Sequence, residues 1–281
     1  MSEKKREIDH SKTSFENLKN EINSFLCRWN KEDSELEVVK NLIFDMWAVA
    51  SDISEKNECI DIVALFPNKM EAKQIIRDMA FESYTNNNFE LAGFGFLRGA
   101  QLGDIGSKNN LVYMLRRGET NILRPFNPRE YLAILQPGVK ERDIFSMINT
   151  AIILSVMLGR ENDWEVADKL ISFLPDDCSS AINWWKKLEE EGDPEGYLVH
   201  LWLTRHNKMK ISTLGEADEI KEIVSVSFSD APAWLYETKK EFDVDDLIAK
   251  IDQKIAELEE EERKKKEKKE QNLDVIDDIG E

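Results

Sequence analysis

Cysteine and histidine are scarce, at three residues each in 281. Cys27, Cys59 and Cys178 stand far apart, with no CxxC pair and no Cys/His cluster, so neither a disulfide framework nor a zinc site is indicated. Outside the N-terminal leader the histidines are His200 and His206, six residues apart and therefore on different faces of one helix. HExxH, GxSxG and P-loop signatures are missing, so no metal, no cofactor and no catalytic residue is expected. Positive charge is also short. Against 56 Asp and Glu there are 38 Lys and Arg, a net charge of −18, which argues against nucleic acid and against an anionic membrane surface. A basic protein partner remains compatible. The longest apolar run, Thr150 to Leu158, cannot span a bilayer, and the polar N-terminus is no secretion signal. These absences lead us to expect a soluble, cytoplasmic protein with reduced thiols.

What is present is helical pattern, with 41% hydrophobic residues and seven Trp. The chain is best organised around Phe89 to Glu119, which reads as helix, tight turn, helix. The first helix closes at Leu102-Gly103-Asp104, where Gly103 can take a left-handed conformation. The second runs from about Ser107 to Arg117, with Arg116 and Arg117 at the negative end of its dipole. Ala92, Gly95 and Gly99 form a stripe of small residues, which lets a neighbouring helix come close at a cost of about 1 kcal/mol per glycine. Two short helices cannot bury their apolar faces alone, so similar units are expected beside them.

A second copy appears at Trp184-Trp185-Lys186-Lys187-Leu188, Gly192-Asp193, Gly196 and Trp202. Gly103 and Gly192 are 89 residues apart, two periods in the range of stacked-repeat architectures. Ser107, Ala151 and Gly196 are then expected at one close-packing point in three successive units. The pattern Phe96-x-Arg98-x-Ala100-x-x-Gly103-Asp104-x-x-Ser107 with Leu111 and Tyr113 resembles the Sel-one-like branch of the tetratricopeptide repeat superfamily. Trp185-x-Lys187 with Gly192-Asp193, Gly196 and Trp202 carries the same resemblance more loosely. Val112 and Leu201 stand where that family usually has a second small residue, His200 replaces a Leu, and the middle unit lacks the Gly-Asp turn. The resemblance covers about Asn68 to Asn207. It implies an α-solenoid that binds other proteins on a concave face, hence adaptor work and not a reaction.

In chain order, the sequence divides into a leader (1–12), an N-terminal helical region (13–66), the repeat array (67–210), a capping segment (211–242), a charged amphipathic helix (243–270) and an acidic-apolar tail (271–281). Thr13 with Glu16 and Ser34 with Glu37 fit capping boxes. A third helix is expected over Asn57 to Phe66, and an amphipathic one over Asn68 to Tyr84. Asn127-Pro128 is a favourable helix start, and that helix is expected to stop near Gln136-Pro137-Gly138. Ile144 to Leu158 should be a helix covered on several sides, followed by one from Trp164 to Phe173. Val224 to Ser229 alternates as a strand would, without an evident partner. Val244, Ile248, Ile251, Ile255 and Leu258 form a seam of two heptads. It either docks on the chain itself or makes a homodimer through 244–258.

The fold class expected is therefore all-α, an α-solenoid of antiparallel helix pairs with a long charged C-terminal helix. Gly93-x-Gly95-x-x-x-Gly99 lies inside a helix with no preceding strand, so close packing outweighs a nucleotide loop. Asp176-Asp177 and Asp245-Asp246 sit where carboxylates favour helix starts. Partner-binding candidates are the residues expected on inner helices: Asn109, Asn110, Tyr113, Arg116 and Arg117, and on the matching helix Tyr197, His200 and Arg205. Asn amides can hold a peptide backbone, and Arg can pair with carboxylates. The function expected is a non-enzymatic scaffold that binds a protein or peptide partner through its concave face, its C-terminal tail, or both; a structural subunit of a larger assembly, docked through the solenoid and the C-terminal helix, is the alternative.

Overall fold

A computed structural model describes residues 14–28, 33–66, 68–123, 126–158, 161–176, 178–190, 193–208, 211–225 and 244–277. Among these residues all regular structure is helical, as expected for an all-α chain of neighbouring helix pairs. The helices are α1 (Phe15–Arg28), α2 (Asp33–Val49), α3 (Ile53–Ala64), α4 (Lys69–Thr85), α5 (Phe89–Gln101), α6 (Ile105–Arg117), α7 (Pro128–Lys140), α8 (Ile144–Ile152), α9 (Glu161–Ser172), α10 (Ser179–Glu190), α11 (Pro194–Arg205), α12 (Leu214–Ser225) and α13 (Val244–Asp277). The chain forms two compact units, Met1–Pro137 and Gly138–Glu281.

In the first unit the helices from α1 to α6 pack consecutively, and ion pairs tie each of α1 to α4 to the next helix but one. Lys19 of α1 meets Glu58 of α3 at 2.6 Å, and Lys40 of α2 meets Glu71 of α4. Asp61 of α3 accepts from Arg98 Nε of α5 at 2.7 Å, and Arg77 of α4 reaches Asp104, at the start of α6, at 3.1 Å. The core beneath them holds Ile22, Ile43, Met46, Ile60, Phe66, Ile76 and Met79. The small-residue stripe of α5 does what its spacing predicts. A Cβ on Gly95 would lie 2.7 Å from the Ala80 Cβ of α4, and one on Gly99 would lie 2.7 Å from the Ser107 Cβ of α6.

One turn recurs in both units. Asp104, Asp143 and Asp193 each cap the following helix, with φ, ψ of −74, 120; −67, 125; and −74, 120. Each also donates its backbone N–H five residues back, Asp104 to Gly99, Asp143 to Gly138 and Asp193 to Leu188, at 2.9, 2.9 and 2.8 Å. The left-handed residue before Asp104 is Gly103, as expected. Before Asp143 it is Arg142, at φ 58. The middle unit therefore keeps the turn that its sequence appeared to lack, built on a residue with no glycine signal. Three residues on from each aspartate stand Ser107, Ser146 and Gly196, all buried, and Ala151, buried as well, lies five residues further along α8.

Other departures have local causes. The α1 start is capped by Ser14, whose Oγ accepts from Asn17 N at 3.3 Å; Thr13 lies outside the described residues. The α2 helix already begins at Asp33, which puts Ser34 inside its first turn. Asp52 accepts from Glu55 N and starts α3 four residues before the expected Asn57. The α7 helix does not stop at Pro137 but runs through it to Lys140. A proline there removes one N–H and crowds the preceding turn, and the boundary between the two units falls at this same residue. The apolar run after α8 continues as a π-helix, Ile153–Leu158, in which Ser155 Oγ donates to Ala151 O at 2.9 Å. Val224 and Ser225 end α12 instead of opening a strand, and the rest of that expected strand and of the capping segment lies outside the described residues.

In the second unit α8 packs on α9, α10 on α11, and α12 on α13. The seam of α13 is rotated from the heptad expectation. Leu247, Ile251 and Leu258 are buried, while Ile248 and Ile255 are half-buried. Leu247, Ile251 and Leu258 still keep heptad spacing (i, i+4, i+11), with Lys254 at the intervening place, so the buried face takes in Leu247 beside the expected Ile251 and Leu258. Past Leu258, residues 261–268 are exposed on every side, and the helix extends to Asp277, well into the expected tail.

Candidate functional site

The residues expected to bind a partner separate into two groups, five on α6 in the first unit and three on α11 in the second. Asn109 and Tyr113, expected on an exposed face, are instead buried at 6% and 7% exposure. The α6 helix closes on α5 across the Gly99–Ser107 approach, and Ser107, Asn109, Leu111, Val112, Tyr113 and Met114 are all buried. Asn110 and Arg116 are half-buried, and Arg117 is exposed. The Arg117 guanidinium lies 5.0 Å from the Tyr113 ring centroid, and its Nε donates to Glu119 at 3.0 Å. Tyr84 belongs to this cluster. Burial, then the Glu119 carboxylate, pushes its phenol up to about 12. The end of α6 is thus clamped to the end of α4.

On α11, Leu198 to Thr204 are all buried, so His200 is likewise a packed residue and not a surface one. Trp202 stacks on Trp164 of α9 at 5.3 Å. Tyr197 is half-buried. Arg205 is held by Asp168 of α9, which also takes His206 Nε2 at 3.0 Å and so fixes the helix end. Among the described residues no group of three or more His, Cys, Asp or Glu could hold a metal ion, and no helix is long and apolar enough to cross a membrane.

The second unit also contains a groove that sequence reasoning did not find. Asn207, left-handed at φ 51, ends α11, and Lys208 N closes the turn on Leu203 O at 2.8 Å. The chain then passes beside α13. Thr204, Asn207 and Ile211 form one wall, and Lys250, Ile251, Gln253, Lys254 and Glu257 of α13 form the other. The space between the walls is about 480 Å³ and open to solvent on one side. Half-buried Ile211 lends it apolar surface, Ile251 being only 2% exposed, and amides and a hydroxyl supply polar groups that can meet a peptide backbone. Lys250 pairs with Asp246 at 2.8 Å, and Lys254 with Glu257 at 3.1 Å. No periodic or motif signal joins residues 204–211 to 250–257, because only the packing of α13 brings them together.

No family model, curated protein or solved structure matches this chain. The functional reading therefore rests on the residues themselves.

Proposed function

We propose that this protein is a non-enzymatic interaction scaffold, built from helix pairs of the tetratricopeptide kind, which binds a segment of a partner protein. The observation that carries this reading is the open groove between the end of α11 and α13, with Ile211 on one wall and the Asn207 and Gln253 amides facing each other across it. A volume of about 480 Å³ lies within the usual range of binding sites, and mixed apolar and amide lining suits a side chain plus a stretch of backbone. Cys27, Cys59 and Cys178 form no disulfide, which favours the cytoplasm, where cysteines stay reduced. The test is affinity capture with quantitative mass spectrometry, comparing wild type, Gln253→Arg, and the double variant Arg116→Glu with Arg117→Glu. A partner held by wild type should be lost with Gln253→Arg, which fills the groove from an exposed position. Retention there with loss in the α6 variant would move recognition to α6.

A structural subunit is the second reading. It is favoured by Val166 of α9 and by Phe173, the residue just after that helix, which are 51% and 61% exposed. Should a second copy dock along 244–258, the half-buried Ile248 and Ile255 are the seam residues that α12 leaves to it. Sedimentation velocity separates these cases: a discrete oligomer that dissociates on Val166→Lys with Phe173→Lys supports assembly through α9, and a monomer at all concentrations argues against it.

A further inference from the structure

Beyond Leu258 the chain offers nothing apolar until Leu273. The fourteen residues from Glu259 to Asn272 include no hydrophobic side chain, no glycine and no proline, and the first twelve are all charged. Helix α13 nevertheless runs through this stretch to Asp277, with residues 261–268 exposed on every side. A helix polar on all faces gains nothing from burial and needs support from pairs between its own side chains. The order of the charges supplies it. Glu259, Glu260, Glu261 and Glu262 each have a cation four residues on, at Arg263, Lys264, Lys265 and Lys266. That spacing puts the partners one turn apart on the same face, with the acid before the base, the better direction. Glu260 meets Lys264 at 3.3 Å and also meets Arg263, which in turn reaches Glu267 at 3.9 Å. Hydrogen bonds from Arg263, then from Lys264, hold the Glu260 carboxyl below its ordinary range. Starting a helix is the costly step, and here it is already taken. Leu247, Ile251 and Leu258 are buried, and Lys221 of α12 pairs with Asp252, so the docked turns of α13 template those that follow.

We infer that α13 beyond Leu258 is a self-supporting spacer, a charged rod held by its own acid-to-base pairs, which carries Leu273 to Asp277 away from the body of the second unit. At a rise of about 1.5 Å per residue, the helix from Leu258 to Asp277 spans about 28 Å. The rod fixes a reach that a coil of the same composition would leave variable. Its pairs are exposed, so salt screens them and its stiffness falls as ionic strength rises. The spacer is independent of the groove, whose lining on α13 ends at Glu257.

The test uses the full-length chain with Cys27→Ser, which leaves Cys59 and Cys178 buried, and nitroxide labels at Ala256→Cys and Gln271→Cys. In low salt, pulsed electron resonance should give one narrow distance distribution, for a backbone separation of about 23 Å along a continuous helix. Arg263→Glu with Lys264→Glu, Lys265→Glu and Lys266→Glu sets like charges four residues apart. That variant should broaden the distribution at least twofold and speed amide hydrogen exchange over 259–272 at least fivefold. Adding Glu259→Lys, Glu260→Lys, Glu261→Lys and Glu262→Lys restores opposite charges at the same spacing and should recover at least half of the lost protection. Salt at about 1 M, where the screening length is about 3 Å, should broaden the distribution of the unaltered helix as well. A broad distribution for that helix in low salt, or exchange at the rate of an unstructured chain, would overturn the spacer. A four-glutamate variant as narrow and as protected as the unaltered helix would also overturn it, because packing and not pairing would then hold the rod. Failure of the charge-reversed variant to recover any protection would do the same. Unchanged exchange at the α12 amides shows in each case that the second unit is still folded.

Discussion

Replacing Gly95 by alanine adds a single methyl group, which would stand 2.7 Å from the Ala80 Cβ and 3.3 Å from its Cα. The second distance involves backbone, so α4 and α5 must move apart. Overpacking of this sort costs about 1–3 kcal/mol, and better helix propensity returns up to about 1 kcal/mol, so urea denaturation should show a net loss of roughly 1 kcal/mol. Asp104 carries more. Its carboxylate accepts from Ser107 N at 2.8 Å and Ser107 Oγ at 2.7 Å and meets Arg77. Asp104→Ala should cost about 2 kcal/mol, and Asp104→Asn distinctly less, because the amide oxygen can keep the cap. The thiols give a simple count: a colourimetric thiol reagent should titrate Cys27 in the native protein and all three in denaturant, since Cys59 and Cys178 are buried. Burial pushes the Cys59 thiol up to about 12 and, with Glu119, the Tyr84 phenol to about the same value. Both groups hold their proton more tightly in the folded state. The stability they contribute is present below their ordinary pKa values, near 9 and 10, and is lost as pH rises toward 12. Tyr84→Phe should flatten the alkaline part of that profile.

At the scale of elements, the left-handed Arg142 is the position most open to improvement. An L-residue in that conformation loses about 1 kcal/mol or more, and glycine gives back part of the gain through its freer unfolded chain. Arg142→Gly should therefore stabilise the second unit by roughly 0.5 kcal/mol, read as a rise of about 1–2 °C in the thermal midpoint. The same position shows where sequence stops being informative. Asn127 and Gly103 announced their roles because the side chain of one, and the lack of one in the other, suit those conformations in isolation. Arg142 is left-handed only because the turn into Asp143 requires it, and Pro137 stays helical only because the rest of α7 does. The helices α4, α5, α6 and α11 were legible from period 3.6 alone. The burial of Asn109, Tyr113 and His200 was not, since a polar residue on a helix does not reveal how many neighbours surround that helix. The groove was least legible, its walls being some forty residues apart in the chain with no shared pattern.

Across the whole chain, the C-terminal helix is a structural partner as well as a projection. Its Leu247, Ile251 and Leu258 lie buried where it packs on α12, whose Ala217 and Ile220 are buried too. A chain ending at Ser225 should lose at least tenfold in hydrogen-exchange protection at the α12 amides and should lose the groove with its ligand. The ladder of ion pairs in the first unit has a consequence of another kind. Lys19 to Glu58, Lys40 to Glu71, Asp61 to Arg98 and Arg77 to Asp104 all join points fewer than forty residues apart. Low contact order of this kind goes with rapid folding. Each helix needs only the next two to be enclosed, so during synthesis the first unit can settle as it leaves the ribosome, shielding its apolar surface while later segments are still being made.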